Sequence, residues 1–280
     1  MKRLGIISLV AGLALLLTTT PVRANGEDEA DYLATGDSVA FGFNPLLDRR
    51  DADNFVGYPE ALAEMLGIDV VNSACPGEAS GGFISLTGVD QACRPYRAQF
   101  PLHVRYATSQ LDFAVSFLRS HQTRLVTIDM GAVDLFLLRD SCPPPPDQAG
   151  CVLQGLPAML ATLGHNLGVI YAAMRGAGFR GQLVALTYYV DDYREPIRVA
   201  AFQAVNAVVA QVTALAGGQV ADGFGAFKAI ADAEAGGDTC AAGLINRLTP
   251  TRCDIHPSPR GRNVLARALK AVVNLPDHET

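Results

Sequence analysis

Short apolar runs that alternate with longer amphipathic stretches constrain this chain more than any other feature of it. The strand-like runs are Tyr32–Thr35, Asp69–Asn72, Arg124–Asp129, Gln182–Thr187 and Gln219–Asp222. Helical patterns lie at Tyr58–Leu66, Ser109–Arg119, Leu156–Arg175, Val199–Leu215 and Pro259–Val273. Strands joined through intervening helices pair in parallel, and the helices then cover both faces of the sheet. The expectation is an α/β fold of three layers, a central parallel five-stranded sheet between two helical layers. There is no internal repeat and no linker long enough to divide two domains, so residues 31–275 read as one domain. With 49 % of the chain hydrophobic, such a domain can bury a sizeable core.

The N-terminus reads as an address. Lys2 and Arg3 precede an uncharged, mostly apolar run from Leu4 to Leu17, and Val22-Arg23-Ala24 forms a small-x-Ala-like cleavage site. Residues 1–24 therefore read as a secretory signal cleaved after Ala24, with Asn25 as the new N-terminus and an extracellular destination. The run is shorter than the roughly 20 residues that span a bilayer. No cysteine follows it to carry a lipid anchor, and no later stretch reads as long and uncharged enough to span a membrane. Residues 25–30 form an acidic leader and 276–280 a tail. Loss of Lys2, Arg3 and Arg23 takes the net charge from −6 to −9, with the remaining positive charges scattered. That argues against nucleic acid as a partner, which demands a concentrated basic surface. A monomer is expected.

All six cysteines lie in the mature chain, and an even count behind a signal segment argues for disulfides in an oxidising compartment. Six cysteines allow 15 connectivities. Cys75–Cys93, Cys142–Cys151 and Cys240–Cys253 are favoured, because each pair closes a short loop between predicted core elements. No two cysteines have the C-x-x-C spacing of a structural zinc site. No cluster of ligands requires a metal, and no cofactor is expected. Pro143 to Pro146, inside the second proposed loop, read as a stiff extended flap.

The chemistry-bearing pieces sit at the ends of the strands. Gly36-Asp37-Ser38 directly follows the first apolar run, which delivers the serine to the C-terminal edge of the sheet, where open α/β folds bind ligands. Alone, the tripeptide reads as a turn that caps the next helix. A serine hydroxyl is too weak an acid to attack unaided and needs an imidazole within hydrogen-bond reach. His256, in Asp254-Ile255-His256-Pro257 ahead of the last helix, is placed to supply one. His103 is the one rival base; His165 reads as helix packing or surface, and His121 and His278 as solvated. Tyr188 and Tyr189 follow the fourth strand and are open to two readings, pocket lining or core packing. Met65, Met130, Met159 and Met174 read as core filling. Gly176-Ala177-Gly178-Phe179-Arg180-Gly181 matches G-x-G-x-x-G but follows a helix and precedes a strand, the reverse of a dinucleotide-binding turn. It reads as a helix C-cap and loop.

Four blocks then stand in order: Gly36-Asp37-Ser38-Val39-Ala40-Phe41-Gly42, Asn72-Ser73-Ala74-Cys75-Pro76-Gly77-Glu78, Thr127-Ile128-Asp129-Met130-Gly131-Ala132-Val133-Asp134 and Asp254-Ile255-His256-Pro257. Together they resemble the SGNH/GDSL hydrolase superfamily, secreted esterases and lipases on a flavodoxin-like sheet, over essentially the whole mature chain. The resemblance implies Ser38 as nucleophile with its backbone N–H as one oxyanion donor, Gly77 as a second backbone donor and His256 as general base. It implies a small ester or lipid as substrate. Two positions depart from the pattern. The third block of the family reads Gly-x-Asn-Asp, its asparagine being the third oxyanion donor; here that position is Val133, and Asp134 reads as fixing a loop. Losing one such donor typically costs ~10²–10³ in turnover. The family also carries Asp three residues before His, whereas Asp254 stands two before His256. Either Asp254 orients the imidazole, or the backbone carbonyl of Cys253 does. Two function classes follow: a secreted serine esterase or lipase working through an acyl-enzyme, or an impaired relative that binds a lipid or glycan ester without turning it over.

Overall fold

The computed structural model describes residues 31–275; the expected signal segment 1–24, the acidic leader 25–30 and the tail 276–280 lie outside the described residues. Its centre is a five-stranded parallel sheet of β1 (Tyr32–Gly36), β2 (Val70–Asn72), β3 (Leu125–Asp129), β4 (Gln182–Leu186) and β5 (Gln219–Ala221), in the order β2-β1-β3-β4-β5. β1 and β3 are buried along their whole lengths. Strands covered on both faces show continuous apolar runs rather than alternation, which is why these are legible as strands. Tyr32 pairs with Leu125 and Gly36 with Asp129, so β1 and β3 end level with each other.

The helices are α1 (Ser38–Phe41), α2 (Tyr58–Leu66), α3 (Ser80–Ile84), α4 (Cys93–Gln99), α5 (Gln110–Ser120), α6 (Ala132–Ser141), α7 (Gln148–Gly176), α8 (Pro196–Leu215), α9 (Gly223–Ala235) and α10 (Pro259–Lys270). Side-chain caps start several of them: Ser109 Oγ accepts the Asp112 N–H at 3.1 Å, and Ser258 Oγ accepts the Gly261 N–H at 3.1 Å. α2, α9 and α10 pack together as one layer, and α5, α7 and α8 as the other. Contrary to the expectation from sequence, α7 and α8 are long and apolar enough to cross a membrane by length and composition alone. Both instead pack as layers of the fold, α7 burying Leu163, Leu167, Ile170, Tyr171 and Met174. Gly176–Gly181 is the turn from α7 into β4.

The chain diverges from the sequence expectation where tertiary packing decides. α7 starts at Gln148, ahead of the expected Leu156, and carries Pro157 inside it. α6 and α9 lie outside the helical patterns expected from sequence. His256 lies on β7 (Arg252–Pro257), which pairs antiparallel with β6 (Ile245–Thr249) in a separate hairpin. Pro143–Pro146 do not form an extended flap. They make a bend and turn between α6 and α7, whose ends the Cys142–Cys151 bond holds at a Cα separation of 5.8 Å, too close for an extended excursion.

Disulfides join Cys75 to Cys93, Cys142 to Cys151 and Cys240 to Cys253, and no described cysteine is free. The third ties the loop after α9 to β7, the strand that carries His256. Its sequence separation of 13 residues corresponds to about 3 kcal/mol of loop-closure entropy removed from the unfolded chain. Replacing Cys240 and Cys253 together by serine is therefore expected to lower unfolding stability by about 2–3 kcal/mol in urea titration. Thiol titration of the denatured, unreduced protein is expected to find no free thiol.

Candidate active site

The C-terminal ends of β1 and β3 flank the point where the strand order reverses, since β1 is followed outward by β2 and β3 by β4 and β5. Loops leaving a sheet in opposite directions open a crevice there. β1 ends in Gly36 at φ +140°, and a Cβ on it would run into the Asp129 carboxylate, so only glycine fits this close approach. The chain then turns sharply. Asp37 Oδ1 accepts the Val39 N–H at 2.9 Å and caps α1, which makes Ser38 the first residue of that helix. A first-turn N–H has no helical acceptor, and that of Ser38 donates to no described residue.

His256 Nε2 lies 2.9 Å from Ser38 Oγ. Its Nδ1 is hydrogen-bonded to Asp254 Oδ1, and the same oxygen accepts the His256 backbone N–H at 2.9 Å. A two-residue spacing reaches because positions i and i+2 of a strand lie on the same face, which puts both side chains on one side of β7. With Nδ1–H donated to the carboxylate, Nε2 is left to accept the serine proton. Burial works against the Asp254 charge, but the His256 hydrogen bond and charge outweigh it and hold the carboxyl below its ordinary value. The imidazole is braced from two sides: Phe43 meets it edge-on at 4.8 Å, and the Tyr189 hydroxyl donates to the Ile255 carbonyl at 2.6 Å.

The second block is pinned against the end of β1. The Ser73 N–H donates to the Ala34 carbonyl at 2.9 Å and the Cys75 N–H to the Gly36 carbonyl at 3.1 Å. Gly77, at φ +79°, accepts from Gln91 and Ala92 through its carbonyl, while its own N–H donates to no described residue. Gly77 lies in the loop after β2 and is not among the residues that line the cavity holding Ser38 and His256. The cavity itself measures about 170 Å³ and is lined by Ser38, Val133, Phe136, Tyr188, Tyr189 and His256 among others. Val133 thus stands in the same cavity as the serine, whereas Asp134 points away and accepts the Ser80 N–H at 3.1 Å and hydroxyl at 2.5 Å, tying α6 to α3. His103 bonds the Phe41 carbonyl at 3.0 Å and rests on the Phe41 ring, apart from the serine. His121, expected to be solvated, is half-buried: its Nδ1 meets the Phe117 carbonyl at the end of α5 and its ring stacks on Phe117. His165 is exposed, and His278 lies outside the described residues. For Tyr188 and Tyr189 both readings hold, since each is buried and each lines the cavity.

One group has no role in the sequence reading. Asp129 is fully buried beside the equally buried Asp37, and the two carboxyls share a hydrogen bond. Asp37 also accepts the Tyr188 hydroxyl at 2.5 Å, and Asp129 the Ala40 N–H at 3.2 Å. Burial, then the neighbouring Asp37 charge, push Asp129 well above the carboxylate range. Like charges in contact cannot both ionise, so the pair keeps one proton and one charge. The signal is visible as a lone acid closing the apolar run Leu-Val-Thr-Ile-Asp. Glu78, next to Gly77, is a second buried acid: burial and the nearby Asp90 raise it to about 8. Gln110 links it to β1, its amide nitrogen reaching Glu78 at 3.3 Å and the Gly36 carbonyl at 3.1 Å.

Because the folded value for Glu78 lies above the unfolded one of 4.5, the native state holds a proton that the unfolded chain releases. This contribution to stability is fully present below pH 4.5 and is lost as pH rises to about 8. Glu78→Gln is therefore expected to match the parent protein near the acid end and to exceed it in stability at pH 9, measured by urea unfolding across that range.

The family model for GDSL-like lipases and acylhydrolases matches residues 34–264. No match was found among curated proteins. Among solved structures, the chain is similar to an extracellular lipase from Streptomyces rimosus, with 20 % identity, a TM-score of 0.58, and coverage of 87 % of this chain and 100 % of that one. It is similar to phospholipase A1 from Streptomyces albidoflavus NA297, with 16 % identity, a TM-score of 0.55 and coverage of 86 % and 98 %. It is also similar to an acetylxylan esterase from Geobacillus stearothermophilus, with 16 % identity, a TM-score of 0.52 and coverage of 88 % and 93 %. At these identities the neighbours speak to the fold, and the family match speaks to the chemistry. The chain belongs to the GDSL-like lipase/acylhydrolase family and is a serine ester hydrolase.

Proposed function

We propose that the protein is a secreted, single-domain enzyme that hydrolyses carboxylic esters through an acyl-serine intermediate on Ser38. The observation that carries this reading is the run of contacts from Asp254 through His256 to Ser38 Oγ, the last at 2.9 Å. In it, His256 Nε2 takes the Ser38 proton as Oγ attacks the ester carbonyl, and returns it to the departing alcohol. Asp254 holds the ring in the tautomer that makes this possible and stabilises the imidazolium that forms. Water then attacks the acyl-enzyme by the same route in reverse, freeing the acid and restoring Ser38. The oxyanion of each tetrahedral intermediate rests on the backbone N–H groups of Ser38 and Gly77. Three disulfides suit an oxidising compartment, which agrees with reading residues 1–24 as a secretory signal.

Val133 favours a second reading. An isopropyl group donates no hydrogen bond, so a site with two oxyanion donors in place of three is slower by ~10²–10³ and in the limit only binds its ester. Pre-steady-state kinetics on p-nitrophenyl acyl esters separates the two: a stoichiometric burst marks the enzyme, and its absence at every chain length marks the binder.

A serine-directed phosphonate is expected to label Ser38 alone, with Ser38→Ala and His256→Ala abolishing turnover and His103→Ala retaining most of it. Asp254→Asn is expected to cost at least ~10-fold in kcat, with an upper bound of ~10⁴, the loss that follows when the orienting aspartate of a serine triad becomes asparagine. A near-normal rate would transfer the orienting role to the Cys253 carbonyl. Val133→Asn is expected to raise kcat, by up to ~10² if the new amide is well aimed, with little change in KM. A folded Val133→Asn variant with lower kcat would show that position to lie outside the oxyanion site.

A further inference from the structure

Beside the cavity that holds Ser38 and His256 lies a second one of about 290 Å³, walled by Leu135, Val152, Ile197 and Ala201 and bounded by Pro145 and Pro146. No step of the hydrolysis uses it. The two cavities share Phe136, Arg139 and Arg198, so they adjoin. We infer that the second cavity receives the acyl chain of the substrate, which runs along α6 from Val133 past Phe136, and that the enzyme favours medium-chain acyl esters over acetyl esters. This rests on the assignment of Ser38 as the nucleophile of an ester hydrolase.

The direction follows from the tetrahedral centre. The carbonyl carbon bonded to Ser38 Oγ carries three other substituents. The oxyanion turns to the free N–H groups, and the alcohol must leave beside His256, which protonates it. The acyl chain takes what remains, the wall made by α6. Val133, Phe136 and Arg139 recur every three residues on α6 and so share one side of it. Each step rises ~4.5 Å along the axis. An acetyl group stops beside Val133, whereas an octanoyl chain passes Phe136 and reaches the second cavity.

The lining suits an apolar occupant. Val133 stands where the family carries a polar amide, so the wall beside the serine is apolar at Val133 and Phe136; Gln148 and the exposed Glu195 also line the second cavity. The two arginines at the junction are already engaged. Arg198 pairs with Asp191 at 2.5 Å, and Arg139 pairs with Asp140 at 2.8 Å while lying 4.9 Å over the Phe136 ring. Each guanidinium thus has a protein carboxylate beside it, and the aliphatic stems of both arginines can cover apolar surface. The outer wall is also pre-formed, since the Cys142–Cys151 bond closes the turn that carries Pro145 and Pro146.

The test is the kcat/KM series on p-nitrophenyl acetate, butyrate, hexanoate, octanoate and decanoate. The expected result is a rise of up to about fourfold for each methylene that enters the second cavity. Ile197 is half exposed on the first turn of α8, where a carboxylate is compatible with the helix dipole. Ile197→Asp puts a charge in the cavity without threatening the fold and is expected to lower the octanoate-to-acetate ratio of kcat/KM by about fifteenfold, the worth of two buried methylenes. Ala149→Phe, which fills the same cavity, is expected to lower that ratio as well. Hydrolysis of acetate with no gain on longer chains, or two folded variants that leave the ratio unchanged, overturns the acyl-chain assignment and leaves the esterase intact. No turnover of any ester together with no phosphonate on Ser38 overturns the esterase reading and this inference with it.

Discussion

The reversal of strand order between β1 and β3 is the constraint on which the rest of this structure depends. Parallel strands end on the same edge, and where neighbouring connections leave in opposite directions the edge stays uncovered. Ser38 opens a helix of four residues at that edge and lines the crevice there. For this to happen the backbone must pass against Asp129 without a side chain, which is why Gly36 occupies the last position of β1. Every other part of the site is brought to this point from elsewhere: the loop after β2, the start of α6, and a hairpin from the far end of the chain.

Beneath the serine, the same crowding creates an electrostatic cost. Asp37 and Asp129 are in hydrogen-bond contact with almost no exposure, and no cation is among the principal influences on Asp129. A shared proton resolves the repulsion and converts it into a hydrogen bond. The remaining charge is spread over Tyr188 and two backbone amides, which fix the turn in which Ser38 sits. The pair thereby fixes the turn that presents Ser38 to the crevice. At the position where the family carries asparagine, Val133 offers no hydrogen-bond donor and presents an apolar side chain to the cavity that holds Ser38 and His256.

Where the sequence is legible, the reason is periodicity. β1 and β3 are covered on both faces, and their unbroken apolar runs stand out; α2 is readable to its ends because Gly57, Pro59 and Gly67 punctuate it. The elements that escape are those whose stability is borrowed. α6 carries apolar residues almost all round, β6 and β7 alternate weakly and are held by the Cys240–Cys253 bond and by Tyr189, and the start of α7 has a proline inside it. In each case tertiary contacts outweigh local preference, and local preference is all that a periodicity argument can see.

By itself the sequence determined the parallel α/β layout, the order of the blocks along the chain and the residue types able to do acyl transfer, because strand burial and nucleophile chemistry are written in composition and spacing. It left open whether a carboxylate two residues before His256 could reach its ring, whether Tyr188 and Tyr189 serve the core or the cavity, and what Asp129 does. Those depend on backbone turns and on distances between residues far apart in the chain, His256 and Ser38 being 218 positions apart. Only the tertiary structure decided them, since hydrogen bonds of roughly 2.5–3 Å are set by how whole elements pack and not by the identity of any one neighbour in sequence.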